Sequence, residues 1–331
     1  MVGVLRAGSG TRSVGMRADM DALPLTENTG LPYASVNTGK MHACGHDGHT
    51  AMLLCAARNL AQSRAFSGTL NLIFQPAEEG FGGAKAMMDD GLFDRFPCDA
   101  VFALHNMPGI AAGDMAFCVG PMTASSDNVT ITLRGVGGHG AFPHRAHDPM
   151  PAAGAIMVAL QTIVGRDVDP LDAAVISVGS VHAGEAFNII PEAVEMRLSV
   201  RTLDATVRQR VEQRIRTLVV GQAESFGLHA EIRYERGYPV LVNDRQMTEF
   251  ATGIARDMLG KARVDAQSRP VMGSEDFAYM LEQVPGCYAY IGNGIGSQGG
   301  CMVHNPEYDF NDDILAVGAS FWVRLTQAWL V

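Results

Sequence analysis

The chain has 331 residues, of which 47% are hydrophobic and 18% are charged, and its formal net charge is −10. This length favours two domains over one, and the composition is that of a globular protein with a sizeable core. The negative charge, without any cluster of Lys or Arg, argues against nucleic acid as a partner.

The six cysteines follow no regular spacing and include no CxxC pair. A chain of this size does not need disulfides for stability, so we expect free thiols and a reducing, cytoplasmic setting. No apolar run reaches the ~18 residues that a membrane-spanning helix needs. The first residues also lack the pattern of a signal peptide. We therefore expect no membrane association.

Strand-like and helix-like segments alternate in the first part of the chain. This order predicts βαβ units and a mostly parallel sheet with helices on both faces. The predicted elements are a strand at Ser13–Ala18, a helix at His49–Ala61, a strand at Thr69–Phe74, a helix at Gly83–Phe93 and a strand at Ala100–Leu104.

The pattern changes near Pro121, where strands with period-two alternation begin. The order of elements in this middle part is β-α-β-β-α-β, which predicts a ferredoxin-like α+β domain inserted into the first. Its elements are strands at Asn128–Leu133, Ala174–Val181, Ala193–Arg201 and His229–Arg236, and helices at Pro151–Val164 and Ala205–Phe226.

The α/β character returns from about Pro239. We therefore expect a discontinuous α/β domain at 1–120 and 238–331 around an inserted domain at 121–237. The glycine-rich segment Gly292–Gly300 predicts a mobile loop. The other predicted elements of this part are helices at Gln246–Leu259, Phe277–Glu282 and Ile314–Val331, and a strand at Cys287–Ile291.

Side chains that suit a borderline divalent metal fall next to strand and helix ends. In open α/β sheets, sites form beyond the carboxyl ends of the strands, so we expect these groups on one rim of the sheet. Each residue taken alone would more often be structural, but their joint placement favours a site. They are Asp19 and Asp21, Cys44 and His46, Glu78 and Glu79, and His105.

The chemistry of these residues predicts a metal-dependent hydrolase. Cys44 and His46 are two residues apart, so both can face one centre from a turn. Glu78 and Glu79 are neighbours and point in different directions, so that one can bind metal while the other faces the water. A metal lowers the pKa of its bound water from ~15.7 towards ~7. A carboxylate beside that water takes its proton and passes it to the leaving amine.

The segment Gly135–Gly140 matches the GxGxxG pattern of dinucleotide-binding folds. It follows a predicted strand, but no helix begins directly after it, so the context for a dinucleotide site is missing. We interpret these glycines as presenting His139 on a tight turn.

Short motifs along almost the whole chain resemble one family, the aminoacylase/carboxypeptidase-type metallopeptidases. Within it they resemble the amidohydrolase branch of hippurate hydrolase, the indole-3-acetyl-amino-acid hydrolases and N-acetyl-diaminopimelate deacetylase. The motifs occur in the family's order. They are Arg17–Pro24, Met41–His49, Gln75–Gly80, His105-Asn106, Gly138-His139 with Pro143-His144, Asn188–Pro191, Gly273–Phe277 and His304–Pro306.

The resemblance implies two divalent metal ions between the domains, for which Zn, Mn, Co and Ni are all suitable. It makes Glu78 the general base and places Asp21 behind a metal ligand, which it would orient. The ligands that it implies are Cys44, His46, Glu79, His105 and His304.

The resemblance also assigns roles to the inserted domain, which would be a lid and a dimerisation domain. His139 would reach the active site of the partner subunit and stabilise the oxyanion. Asn188 and Arg201 would bind the substrate, whose carboxylate suits a guanidinium. A free sheet edge in the inserted domain also favours a homodimer, because proteins tend to cover such edges.

Two features depart from the family pattern. Members of this branch usually carry several dozen residues before the first strand, whereas this chain begins almost at that strand, so we expect a truncated or replaced start. In addition, Asp19 stands where the broader family has a metal-binding histidine, although the amidohydrolase branch shares this Asp.

The leading hypothesis is hydrolysis of the amide bond of N-acyl or N-aroyl amino acids to a carboxylic acid and an amino acid. A dipeptidase or an N-carbamoyl-amino-acid hydrolase would use the same metals. A catalytically silent metal-binding or interaction protein is the alternative from another class.

Overall fold

The computed structural model describes residues 1–296 and 299–331. These residues form two compact units. The first unit comprises Met1–Met122, Leu241–Arg269 and Glu275–Val331, and the second comprises Thr123–Val240 and Pro270–Ser274.

The strands, in chain order, are β1 (Val2–Ala7), β2 (Ser13–Asp19), β3 (Gly68–Gln75), β4 (Ala100–Pro108), β5 (Met115–Ala116), β6 (Gly120–Thr123), β7 (Asp127–Arg134), β8 (Gly138–His139), β9 (Ala174–His182), β10 (Ile189–Ile190), β11 (Ala193–Thr202), β12 (His229–Arg236), β13 (Leu241–Asn243), β14 (Val264–Asp265) and β15 (Gly286–Gly294). The α-helices are α1 (His46–Ser63), α2 (Glu78–Phe81), α3 (Gly83–Asp89), α4 (Leu92–Arg95), α5 (Pro149–Thr162), α6 (Ala205–Ser225), α7 (Arg245–Leu259), α8 (Ala278–Leu281) and α9 (Leu315–Trp329).

The first unit is built on a seven-stranded sheet with the strand order β1-β3-β2-β4-β15-β5-β14. Its central strands β3, β2, β4 and β15 run parallel, whereas β1 and β5 pair antiparallel with their neighbours β3 and β15. Side chains on both faces of β2 and β4 are buried, as expected for a parallel sheet that is covered on both sides. The predicted α/β fold with a mostly parallel sheet is confirmed.

Helix α1 begins at His46, three residues earlier than the predicted start at His49. Gly45 precedes it with φ of 83°, a left-handed conformation that glycine adopts without steric cost. His46 therefore lies on the first turn of the helix, which corrects the expectation that it precedes the helix. The apolar face of α1, which includes Met52, Leu53 and Leu60, is buried in the core.

Three other predicted boundaries in this unit were wrong. The helix predicted at Gly83–Phe93 is two helices, α3 and α4, because Gly91 turns the chain with φ of 77°. His105 does not close its strand, since β4 continues to Pro108. The predicted loop at Gly292–Gly300 begins later, because β15 extends to Gly294, and Ser297 and Gln298 lie outside the described residues.

The second unit contains a four-stranded antiparallel sheet with the order β12-β7-β11-β9. The inward-facing residues of β7 and β11 form one apolar core with α5 and α6, whereas the opposite sheet face carries charged and polar side chains. The chain order β7-α5-β9-β11-α6-β12 confirms the predicted ferredoxin-like α+β arrangement.

The two ends of the second unit meet through their backbones. Ser126 N–H donates to the carbonyl of Tyr238 at 3.1 Å, and Gly237 N–H donates to the carbonyl of Ser126 at 2.9 Å. The segment Pro270–Ser274 joins them, since Ala124 N–H donates to the carbonyl of Gly273. Within the described part of the chain, none of the helices has the length and apolar character needed to cross a bilayer.

Helix α6 begins at an aspartate cap, and this contact can be tested. The Asp204 carboxylate accepts hydrogen bonds from the backbone N–H groups of Thr206 and Val207, at 2.7 and 2.9 Å. We expect Asp204→Ala to lower the free energy of unfolding by about 1 kcal/mol in urea denaturation. The control is Gln209→Ala at an exposed position of the same helix, which should change it far less. Equal effects of the two substitutions would contradict the role of the cap.

Candidate metal centre

A thiol, an imidazole and a carboxylate converge beyond the ends of β2 and β3 in the first unit. Ligand atoms of Cys44, His46 and Glu79 lie within 4.8 Å of one another. Cys44 and His46 are buried, and the left-handed turn at Gly45 brings both side chains to the same side of the chain. Sulfur, nitrogen and oxygen donors of this kind are typical of zinc and other borderline divalent metals.

His105 extends this group from β4. Its Nε2 lies 3.4 Å from the Cys44 sulfur, and its Nδ1 lies 2.6 Å from the carbonyl oxygen of Asn106. Because a carbonyl oxygen only accepts hydrogen bonds, Nδ1 must carry the proton. The lone pair of Nε2 therefore points towards Cys44, which is the tautomer that a metal ligand requires.

His304 approaches from the chain segment that follows β15. Its Nε2 lies 3.1 Å from Oε1 of Glu79, and its backbone N–H donates to the carbonyl of Ala43 at 2.7 Å. His304 has φ of 64°, an uncommon conformation for a residue other than glycine. Such strain is frequent at functional sites, where the surroundings hold the residue in place.

His49, the last residue of the motif Met41–His49, lies in the same cluster but has protein partners for both ring nitrogens. Nδ1 lies 2.6 Å from Oδ1 of Asp19, and Nε2 lies 2.7 Å from Oδ1 and 2.9 Å from the backbone nitrogen of Asn106. His49 and Asp19 are both buried. Ligand atoms of Asp19, His46, His49 and His105 also lie within 4.8 Å of one another. Because both ring nitrogens of His49 have protein partners, this residue is suited to holding Asp19 in place.

Asp21 holds the backbone of the two neighbouring glutamates. Its carboxylate oxygens accept hydrogen bonds from the N–H groups of Glu78 and Glu79, each at 3.0 Å. Oδ1 of Asp21 also lies 3.4 Å from Nδ1 of His46. The Glu78 side chain is buried and close to the carboxylates of Glu275 and Asp276.

A fully buried arginine links these acidic groups. The Arg17 guanidinium pairs with Asp19 and Glu275, each at 2.7 Å, and with Asp276 at 3.2 Å. Its Nε also donates to Oε1 of Gln75 at 2.8 Å. Charged groups that are removed from water need such partners, because their desolvation is costly.

The electrostatic environment shifts the pKa values of the clustered groups. Burial raises the pKa of Glu78 well above its ordinary value, and the nearby carboxylates of Glu275 and Asp276 raise it further. Burial lowers the pKa of His105, which favours the neutral ring. Burial opposes protonation of His46 as well, but the carboxylates of Asp19 and Asp21 raise its pKa to about 9.

The residues of this centre fit divalent cations. Both ring nitrogens of His46 are buried and neither makes a well-formed hydrogen bond, since the nearest carboxylate oxygens are those of Asp21 at 3.4 Å and Asp19 at 3.7 Å. In addition, six carboxyl groups lie in and around this cluster and offer oxygen atoms to a cation. These carboxyl groups are Asp19, Asp21, Glu78, Glu79, Glu275 and Asp276.

The other three residues singled out from the sequence belong to the second unit. His139 lies on β8 and pairs with Ile189 of β10, and the carbonyl of Asn188 accepts a hydrogen bond from Gly140. His139 and Asn188 are therefore neighbours, and both are exposed. Arg201, on β11, is partly buried and donates to the carbonyl of Met272 at 2.9 Å.

Sequence analysis gave no role to Arg17, Glu275 or Asp276, although all three lie in the recognised motifs. A signal was present for Arg17, which is a charged residue within the strand predicted at Ser13–Ala18. The partners Glu275 and Asp276 are more than 250 residues away, and only the fold brings them to the end of β2.

Comparison with known proteins supports the same kind of site. The family description "Peptidase family M20/M25/M40" matches residues 15–328. Hippurate hydrolase from Campylobacter jejuni is 45% identical over 330 residues, covering 100% of this chain and 85% of that protein. N-acetyl-L-cysteine deacetylase from Bacillus subtilis is 41% identical over 313 residues, covering 94% of this chain and 73% of that protein.

A solved structure is also similar over almost the entire chain. It is a Bacillus subtilis protein described as a dinuclear metal-binding peptidase from the M20 family. The similarity has a TM-score of 0.85 at 32% identity and covers 99% of this chain and 84% of the other.

The arrangement around Cys44 predicts a spectroscopic signal. We expect Co²⁺ added to the metal-free protein to give an intense near-ultraviolet thiolate-to-cobalt absorption band, because the Cys44 sulfur lies among the nitrogen and oxygen donors. The band should be absent in Cys44→Ser. It should persist in Cys55→Ser, which changes an exposed cysteine on α1. A band that survives in Cys44→Ser would show that cobalt binds elsewhere.

Proposed function

The chain belongs to peptidase family M20/M25/M40, and from this premise we propose that it hydrolyses the amide bond of N-acyl and N-aroyl amino acids. Membership confirms the resemblance found in the sequence, and hippurate hydrolase, which that resemblance named, is among the relatives. The products would be a carboxylic acid and a free amino acid.

The observation that carries this proposal is the convergence of Cys44, His46 and Glu79 beside the buried Glu78 carboxyl group. One group of side chains offers metal-binding atoms, while a neighbouring carboxyl group is available for proton transfer. The ligands that we propose for two divalent cations are Cys44, His46, Glu79, His105 and His304.

When bound, such cations lower the pKa of coordinated water and polarise the scissile carbonyl. Glu78 takes the proton of the attacking water and delivers it to the nitrogen of the leaving amine. Asp21 fixes the backbone of both glutamates, so that Glu78 keeps its direction relative to Glu79. Burial lowers the pKa of His105 and so favours its neutral ring, while the carbonyl of Asn106 fixes its tautomer.

The second unit supplies the remaining roles in this proposal, as a lid and dimerisation domain. His139 donates to the oxyanion that forms at the substrate carbonyl, in the active site of the partner subunit. Asn188 lies next to it and contacts the substrate, and Arg201 pairs with the substrate carboxylate. The edge strand β9 is available for pairing with a second copy of the chain.

The role of Glu78 predicts a separation of metal binding from turnover. We expect Glu78→Gln to lower kcat for hippurate by about 10²–10⁴-fold or more, because the amide cannot take up a proton. Metal analysis of the purified variant should still find two cations per chain. Activity close to that of the wild type would defeat the assignment.

The matched control is Glu282→Gln, at an exposed position outside the cluster, which should retain full activity. The substrate panel should contain hippurate, N-acetyl amino acids, dipeptides and N-carbamoyl amino acids. Preference for the last two classes would replace the proposed substrate with a related one. Stoichiometric metal binding without cleavage of any amide would favour a binding protein.

The proposed role of His139 can be tested by mixing two inactive variants. In a mixed dimer of His139→Ala and Glu78→Gln, one of the two active sites would have an intact Glu78 and receive an intact His139 from its partner. We therefore expect activity to return after subunit exchange, measured as hippurate cleavage. If His139 acts within its own subunit, no active site of the mixed dimer has both an intact Glu78 and an intact His139. A mixture that stays inactive although subunit exchange has been verified would therefore contradict a role of His139 in the partner's active site.

A further inference from the structure

The loop that carries Glu78 and Glu79, residues 75–84, has irregular backbone conformations at several residues. Ala77 has φ of 56°, a left-handed conformation that costs a residue with a side chain roughly 1 kcal/mol. The short helix α2 is interrupted at Glu79 and at Gly80, where φ is 85°. One backbone hydrogen bond lies within the loop, from the N–H of Gly83 to the carbonyl of Ala77 at 2.9 Å, and contacts from outside the loop add to it in fixing the two glutamates.

The loop is also packed tightly against itself. A Cβ atom at Gly83 would lie 1.6 Å from the carbonyl oxygen of Pro76, so only glycine fits at this point. The two arms of the loop thus run close together, and a small shift of one arm moves the other. The position of Glu79 depends on where both arms are anchored.

Two aspartates anchor the loop at different points. Asp21 accepts the backbone N–H groups at the middle of the loop, as described above. Asp276 holds both ends, since its Oδ1 accepts from Nε2 of Gln75 at 2.7 Å and its Oδ2 accepts from the N–H of Ala84 at 2.8 Å. Asp276 is fully buried, so water does not compete for these bonds.

Asp276 is in turn fixed by Arg17, which lies 3.2 Å away. The same guanidinium holds Asp19, and the Asp19 carboxylate contacts His49 and lies 3.7 Å from Nε2 of His46. Asp276 therefore connects the loop to the side of the centre that contains the histidines. It touches neither Cys44 nor any of the proposed histidine ligands in the described residues. Its carboxylate lies close to that of Glu78, so it affects kcat directly as well as through the loop, whereas an effect on Co²⁺ affinity reports the position of the loop.

We propose that Asp276 is a positioning residue, which sets the distance of Glu78 and Glu79 from the remaining residues of the metal centre by holding both ends of their loop. This inference rests on the proposed function for the roles of the two glutamates. Its structural basis is the pair of contacts from one carboxylate to Gln75 and Ala84.

The test compares Asp276→Asn with Asp127→Asn. Both substitutions change a buried aspartate that pairs with an arginine, but Asp127 pairs with Arg208 in the second unit and has no contact with the loop. For each variant we would measure the melting temperature, the affinity for Co²⁺ from the cobalt–thiolate absorption, and kcat and KM for hippurate.

We expect Asp276→Asn to lower kcat by about 100-fold with a small change in KM, because a misplacement of about 1 Å costs about that much. Its affinity for Co²⁺ should fall by about 10-fold, since partners that orient metal ligands have effects of this size. Asp127→Asn should lower the melting temperature but leave kcat and the affinity for Co²⁺ unchanged. Gln75→Met removes one of the two contacts of Asp276 together with the hydrogen bond from Nε of Arg17. It should lower kcat and Co²⁺ affinity as well, and it replaces Asp276→Asn in the test if that variant does not fold.

The proposal would be overturned if Asp276→Asn left both kcat and the affinity for Co²⁺ unchanged. If Asp276→Asn does not fold, the same result for Gln75→Met would overturn it. The same holds if Asp127→Asn reproduces both losses, because these would then follow from lower stability alone. If the wild type cleaves none of the amides in the panel, the proposed function fails. The Co²⁺ affinities of the variants would still decide whether Asp276 positions the loop.

Discussion

The first unit depends on one buried guanidinium that faces several carboxyl groups. Arg17 lies in the middle of a covered sheet and pairs with Asp19, Glu275 and Asp276, which come from two distant parts of the chain. The same cluster also contains Asp21, the two loop glutamates and His46, whose pKa the neighbouring carboxylates raise to about 9. Divalent cations would replace the proton of His46 and supply positive charge to the carboxylates.

The ion pairs of Arg17 also connect the sheet to the loop that carries Glu78. Because Arg17 is near the end of β2, it ties the sheet to the segment that precedes α8, and the bonds of Asp276 extend this connection to the loop with Glu78. One set of contacts thus connects the core of the sheet to the loop that carries Glu78 and Glu79. Buried polar networks of this type are effective only when every member has a partner.

Much of the fold was predictable from the sequence, because periodicity and turn residues are local signals. The alternation of β7 and the arginine-rich face of α6 placed the second unit's elements within one or two residues. The start of α1 was missed because Gly45, with its left-handed backbone, replaces the usual polar cap. The break between α3 and α4 depends on a single glycine whose conformation the sequence alone does not reveal.

The candidate site was predictable in its residue types and only partly in its connections. Motifs identified Cys44, His46 and Glu79, and their convergence in space agrees with the expected rim of the sheet. The sequence does not show that both ring nitrogens of His49 have protein partners whereas Nε2 of His105 faces Cys44, because this depends on the neighbours of each ring in the fold. The network around Arg17 also depends on long-range contacts, which a pattern of nearby residues does not encode.

The meeting of backbones at Ser126 and Tyr238 has a consequence for protein engineering. Since the chain enters and leaves the ferredoxin-like unit at one point, a short linker between 122 and 241 would bypass it without stretching the chain that remains. A chain without the second unit would also need a replacement for residues 270–274, because these residues hydrogen-bond to the removed unit. The second unit is therefore a natural candidate for transplantation, in which one scaffold receives inserted domains of different origin.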